Sequence, residues 1–276
     1  MRGYSRVFAL SILMGVLSAA RAEAAVHLLG DDNSAALIDT GSPGAMGMFQ
    51  WQVEGVNQLS QQSFWYRHGG AGQESNLSSG LTLVAEHVSD TNWNGLDDAL
   101  YVKYSDGVID VEVTYLLNGG ALGSNASDVA EIITLTNTQP VDLDFHFFQY
   151  SDFDLNGTMG DDYAMMMNHN TVRQWDSQTV FSETVVTPAA DRWEIAPFGT
   201  TLTSLNDASI TTLGKTPGIG TVMGPMDLTW AFQWDFTIPA GHSVQISKDK
   251  RLAPVPEPTT LSLLALGGLA VLRRRR

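Results

Sequence analysis

The chain has 276 residues, 43% of them hydrophobic and 16% charged, with no cysteine and a formal net charge of −15. Without thiols there are no disulfides, thiolate zinc sites or cysteine nucleophiles, and the acidic balance excludes a surface built to hold nucleic acid. The six histidines (His27, His68, His87, His146, His169 and His242) show no i, i+4 pairing, so a zinc-protease helix is excluded as well.

In chain order, residues 1–24 read as a signal peptide. Arg2 and Arg6 open it, an apolar run covers 7–20, and Ala20-Arg21-Ala22 or Ala22-Glu23-Ala24 offers a small-x-small cleavage site, with cleavage expected after Ala24. This end predicts export through the Sec machinery. The body, 25–253, holds 8 basic against 28 acidic residues and is long enough for one large domain. Its period is two. Short runs rich in β-branched and aromatic residues predict strands at 81–87, 100–104, 108–117, 129–136, 141–150, 163–167, 171–175, 180–186, 228–238 and 243–248. Turn signals such as Ser105-Asp106-Gly107 and Asn118-Gly119-Gly120 separate them. No sustained helical stripe interrupts the body, so the expected fold is all-β: a single-domain antiparallel sandwich with helices only in the targeting ends, a barrel being the alternative closure. Residues 208–224, with several glycines, are expected to form a long surface loop.

Two acidic loops concentrate the candidate chemistry. Asp152, Asp154 and Asn156 ahead of Gly157 repeat the first half of a calcium loop, in which oxygen ligands at alternate positions converge on one cation. Tyr163 stands where a bidentate glutamate would close a helix-loop-helix site, so Asp161 and Asp162 are the candidates to complete the sphere in a β context. The second loop, with Asp90, Asn92, Asn94, Asp97 and Asp98, has nearly the same spacing. Both compositions also suit an ordinary tight turn. Calcium is the cofactor expected if either loop binds a metal.

Among the seven tryptophans, Trp230 and Trp234 alternate with Phe232 and Phe236 as core residues should, whereas Trp65 and Trp93 are placed in or beside loops as a ligand platform. No Gly-x-Ser-x-Gly elbow, phosphate loop or dinucleotide fingerprint occurs, and no pair among the glutamates stands out for glycoside cleavage. No catalytic residue is singled out, and the chain is expected not to be an enzyme.

Residues 254–276 form a separate unit: Val255-Pro256-Glu257-Pro258, a Leu/Ala/Gly run at 261–272, then Arg273, Arg274, Arg275 and Arg276. As a helix the run spans about 18 Å, short of the roughly 30 Å hydrocarbon core. These residues resemble the PEP-CTERM sorting signal of bacterial envelope proteins. The resemblance implies recognition by an exosortase, a membrane cysteine protease, processing near 256–258, transient membrane anchoring through the C-terminal helix, and delivery to the cell surface or beyond. Segments 147–154, 230–236 and 247–250 are similar to exported β-rich proteins bearing this signal, a resemblance that carries no activity. The reading is an exported, surface-processed structural or binding component of the envelope or extracellular polysaccharide matrix, supported by calcium. A carbohydrate-active enzyme on the same sandwich is the alternative.

Overall fold

A computed structural model describes residues 25–41, 47–70 and 72–255. The signal peptide and all of the sorting signal beyond Val255 lie outside the described residues, including Pro256, Glu257, Pro258 and Arg273 to Arg276. In chain order the elements are β1 (Val26–Asp31), β2 (Ser34–Asp39), β3 (Gly47–Val53), β4 (Val56–Asn57), β5 (Gln61–His68), β6 (Ser75–Asn76), α1 (Leu77–Gly80), β7 (Thr82–Ser89), β8 (Ala99–Ser105) and β9 (Ile109–Gly119). There follow β10 (Ser127–Asn137), β11 (Leu143–Asp152), a 3-10 turn (Leu155–Gly157), β12 (Asp162–Asn168), β13 (Thr171–Trp175), β14 (Thr179–Thr187), β15 (Arg192–Pro197), α2 (Thr200–Asn206), β16 (Met223–Met226), β17 (Leu228–Ile238) and β18 (Ser243–Pro254).

The strands form two sheets packed as a sandwich. One has the order β1-β2-β3-β5-β11-β17-β15, with β4 on β3 and β6 on β5; the other runs β16-β12-β13-β14-β18-β10-β9-β8-β7. The described ladders are antiparallel except where β3 meets β5. Every expected strand is present. The signal in β9 is clear: Ile109, Val111, Val113, Tyr115 and Leu117 are buried and the residues between them are not. Strands β1 to β6, β15 and β16 and the two short helices were not expected, although β2 too buries alternate residues. Gly119 marks a close approach of the two sheets, because a Cβ there would collide with the Asp31 carbonyl.

The core is aromatic. Phe153 and Phe181 lie tilted against each other at 4.0 Å between ring centroids, and Trp51 and Trp230 close on both. Trp230, Phe232 and Trp234 lie in this core, as their alternation predicts. Beside it sits a buried ionic network. Lys248 and Lys250, alternate residues of β18, both face inward, opposite Glu131 of β10 and Glu183 of β14. Lys248 Nζ lies 2.6 Å from Glu131 Oε2 and 3.4 Å from Glu183 Oε1, and Lys250 pairs with Glu131 Oε1. Gln149 crosses from the other sheet, accepting from Lys248 and donating to Glu183 at 2.8 Å. Two cations and two anions balance, which is the condition for burying charge at all.

Candidate functional site

Loop 90–98 uses its acids and amides to build a rigid turn. Asp90 Oδ1 accepts from the backbone N–H of Trp93 at 2.7 Å and of Asn94, and Oδ2 from Gly95 at 2.8 Å. These N–H groups, that of Gly95 foremost, hold the Asp90 carboxyl below its usual pKa. Asn92 and Asn94 each donate to Asp31 Oδ1, at 2.8 and 2.7 Å, tying the turn to β1. Buried Asp98 accepts from the N–H and hydroxyl of Thr91, and Asp97 is exposed. The product is Trp93 at φ 65° and 90% exposed, an indole held out in water on a left-handed residue. A groove of about 440 Å3 opens alongside, lined by Thr91, Asn92, Asn118, Asp128, Asp249 and Arg251 among others.

Trp65, the other expected platform, is not in a loop. It lies in β5, 2% exposed, with Tyr150, Phe148, Leu205 and Leu213 packed around it and its Nε1 donating to Asn206 at 3.1 Å. Helix α2 and the segment after it cover this half of the first sheet's outer face, so Trp65 offers no stacking surface. Further along, the face is polar. Strand register aligns Arg67, His146 and Asp235 in one row. His146 Nδ1 is 2.6 Å from Asp235 Oδ1, both partly exposed, while Arg67 turns to buried Glu74 at 2.9 Å.

At the opposite end of the same face three carboxylates meet. Asp152 ends β11 and Asp154 follows it before the 3-10 turn; Asp227 joins them because it immediately precedes β17, which runs antiparallel to β11 with Asp152 opposite Thr229. One carboxylate oxygen of each lies within 4.8 Å of the others. Burial lifts the Asp152 carboxyl to about 7, with Asp154, Asp227 and Asp162 adding to the rise. Burial and then Asp227 lift Asp154 to about 6. The other expected ligands point elsewhere. Asn156 hydrogen-bonds Asp176 at 2.6 Å, Asp162 is buried in β12 and accepts from Gln174 at 2.7 Å, and Asp161 is exposed. Asp227 was missed because its distance in sequence leaves no spacing to read; only the register places it.

The C-terminal residues 254–276 match the PEP-CTERM protein-sorting motif. The chain is therefore exported, processed by an exosortase and sorted to the cell surface, and β18 ends at Pro254 where the motif begins. Among the described residues no helix is long and apolar enough to cross a membrane. No curated protein matches the sequence, so the resemblance of the body to other exported β-rich proteins gains no support.

The sandwich is similar to that of a bacterial glucoamylase complexed with acarbose, with a TM-score of 0.54 and 8% identity over 91% of this chain. The chain spans only 35% of that protein. It is also similar to a galactose 1-epimerase from Lactobacillus acidophilus NCFM, with a TM-score of 0.52 and 9% identity, covering 86% of this chain and 98% of that one. A galactose mutarotase-like protein from Lactobacillus casei ATCC 334 gives a TM-score of 0.51 and 9% identity, covering 83% and 100%. These likenesses correct the expectation that the chain is not an enzyme: its fold is one on which sugar-active enzymes are built. The absence of local catalytic motifs was a poor guide, because a site on a sheet face is assembled from strands distant in sequence.

Proposed function

We propose that this exported, surface-sorted domain acts on carbohydrate, with a glycan stacked on Trp93 and its hydroxyls held in the adjoining groove. The observation that carries the reading is the 90% exposure of Trp93 on a turn pinned by Asp90, Asn92 and Asn94. A left-handed backbone for a bulky residue costs of order 1–3 kcal/mol and persists where its surroundings impose it. Here the surroundings hold an amphipathic ring almost wholly in water, the arrangement a sugar ring's apolar face requires. Asn92, Asn118, Asp128, Asp249 and Arg251 supply hydroxyl partners beside it. The sugar-directed proteins with the same fold favour this ligand class. The test is binding of the full chain to a panel of bacterial exopolysaccharides, by calorimetry, with Trp93→Ala as the variant. Loss of about tenfold or more in affinity is expected; unchanged binding would refute the site.

A second reading, turnover of the sugar, is favoured by the His146–Asp235 pair. A carboxylate hydrogen-bonded to one ring nitrogen orients the other for proton transfer. Its test is release of reducing ends or anomer exchange, followed by NMR, with activity lost in His146→Gln.

A further inference from the structure

We infer that Asp152, Asp154 and Asp227 form a calcium site that clamps the end of the first sheet. The three side chains meet where β11 ends and β17 begins in the antiparallel ladder, and one oxygen of each lies within 4.8 Å of the others. Oxygens gathered within 4.8 Å can all reach one calcium ion, which holds its ligands at about 2.3–2.6 Å in a sphere that tolerates irregular geometry, whereas magnesium demands a near-ideal octahedron.

A second observation is independent of the cluster's charge. Asp152 is only 3% exposed, and its Oδ1 is shut from solvent and accepts no hydrogen bond among the described residues. A buried carboxylate oxygen left bare is costly. Among the described residues no lysine, arginine or histidine forms an ion pair with any of the three. Every charged neighbour acting on Asp152 is another carboxylate. Among the described residues no cation is supplied here, although two are placed inside the core for Glu131 and Glu183.

The backbone around the site is held independently. Asn156 N–H donates to Gln58 Oε1 at 2.9 Å, fixing the turn after Asp154. The carbonyl of Asp227 accepts from Phe198 N–H at 3.0 Å. Asp154 and Asp227 are themselves partly exposed, leaving room for water to complete an oxygen sphere. The missing ligands of the calcium-loop pattern are thus replaced by Asp227, the residue between β16 and β17 far along the chain.

The test is thermal unfolding of the full chain in a chelator, then with about 5 mM calcium or about 5 mM magnesium, above the dissociation constants usual for extracellular calcium modules. Calcium at about 5 to 50 times its dissociation constant should raise the midpoint by about 2 to 9 °C, and magnesium by less. Asp154→Asn and Asp227→Asn, both at partly exposed positions, should abolish the calcium response and melt no lower than wild type in chelator; Asp90→Asn should keep the response. If Asp152→Asn fails to fold, these two variants still decide. No calcium response in wild type, a response surviving in Asp227→Asn, or equal responses to both ions would overturn the assignment. Because unfolding needs no glycan, the result stands apart from the fate of the Trp93 reading.

Discussion

Lys250→Met removes one of two buried cations while leaving the side-chain volume nearly unchanged, and so tests whether the core's ionic network is charged and balanced. Lys250 is fully buried; burial drives its pKa down, and Glu131 acts to raise it. Burial works to raise the pKa of Glu131, but Lys248 and Lys250 outweigh it and leave the carboxyl below its usual value. Glu131 is thus held as a carboxylate, and if Lys250 is charged beside it the substitution leaves Glu131 and Glu183 sharing Lys248 alone, one uncompensated negative charge between the sheets. Breaking a buried pair in this way costs about 3–5 kcal/mol, a large part of the 5–15 kcal/mol typical of a whole domain. The expected fall in melting midpoint is about 6–20 °C. Adding Glu131→Gln restores neutrality, because Lys248 still faces Glu183 at 3.4 Å. The double variant should therefore be more stable than the sum of the single changes by about 2 kcal/mol or more. Urea unfolding followed by tryptophan fluorescence measures all three. A loss under about 1 kcal/mol for Lys250→Met, with additive effects in the cycle, would show that Lys250 is neutral in the fold and that the balance argument is wrong.

Three further outcomes are expected. His68 sits 3.6 Å from Asp106 and against the rings of Tyr66 and Phe145; burial lowers its pKa and Asp106 only partly opposes this. A histidine lowered in the fold contributes stability that is full above its unfolded pKa, near 6.5, and is lost as pH falls through the folded value. His68→Gln should flatten the melting profile just below pH 6.5, and an unchanged slope would exclude His68 as its source. Gly119→Ala forces a methyl group into the Asp31 carbonyl and should cost more than 2 kcal/mol in denaturant unfolding; near-neutrality would mean that the sheets can separate there. Asp90→Ala removes the acceptor for three backbone N–H groups. It should raise hydrogen exchange at 93–95 and weaken glycan binding without changing the melting midpoint by more than about 2 °C.

Where one face of a strand is core and the other water, the pattern announces itself: β9 and β10 bury alternate residues over 11 positions each and were legible residue by residue. Strand β5 fails that test because six consecutive residues, Gln62 to Arg67, are buried. Its inner face packs on the second sheet and its outer face lies under α2, so no alternation survives and Gln61-Gln62-Ser63 reads as a loop. That same cover is why Trp65, expected on a surface, is enclosed. Lys248 and Lys250 mislead in the opposite sense, since charges at alternate positions of β18 suggest the wet face; only the partners on β10 and β14 allow them inside.

The two acidic loops show the same limit from the side of chemistry. Their sequences are similar, yet in one the oxygens are occupied by the loop's own N–H groups, and in the other a buried Asp152 oxygen has no donor among the described residues. Spacing within a loop decides which side chains share a side. Whether those side chains face donors, cations or one another depends on what the neighbouring strand delivers, and here that is Asp227, placed opposite by a ladder whose register no local signal encodes. Chemistry on a sandwich is therefore least visible in sequence where strands end, since there the partners come from different hairpins. The acidic cluster, the His146–Asp235 pair and the Trp93 turn all lie at or beyond the ends of ladders or across them, which is why composition named the residue types and only the fold selected the members.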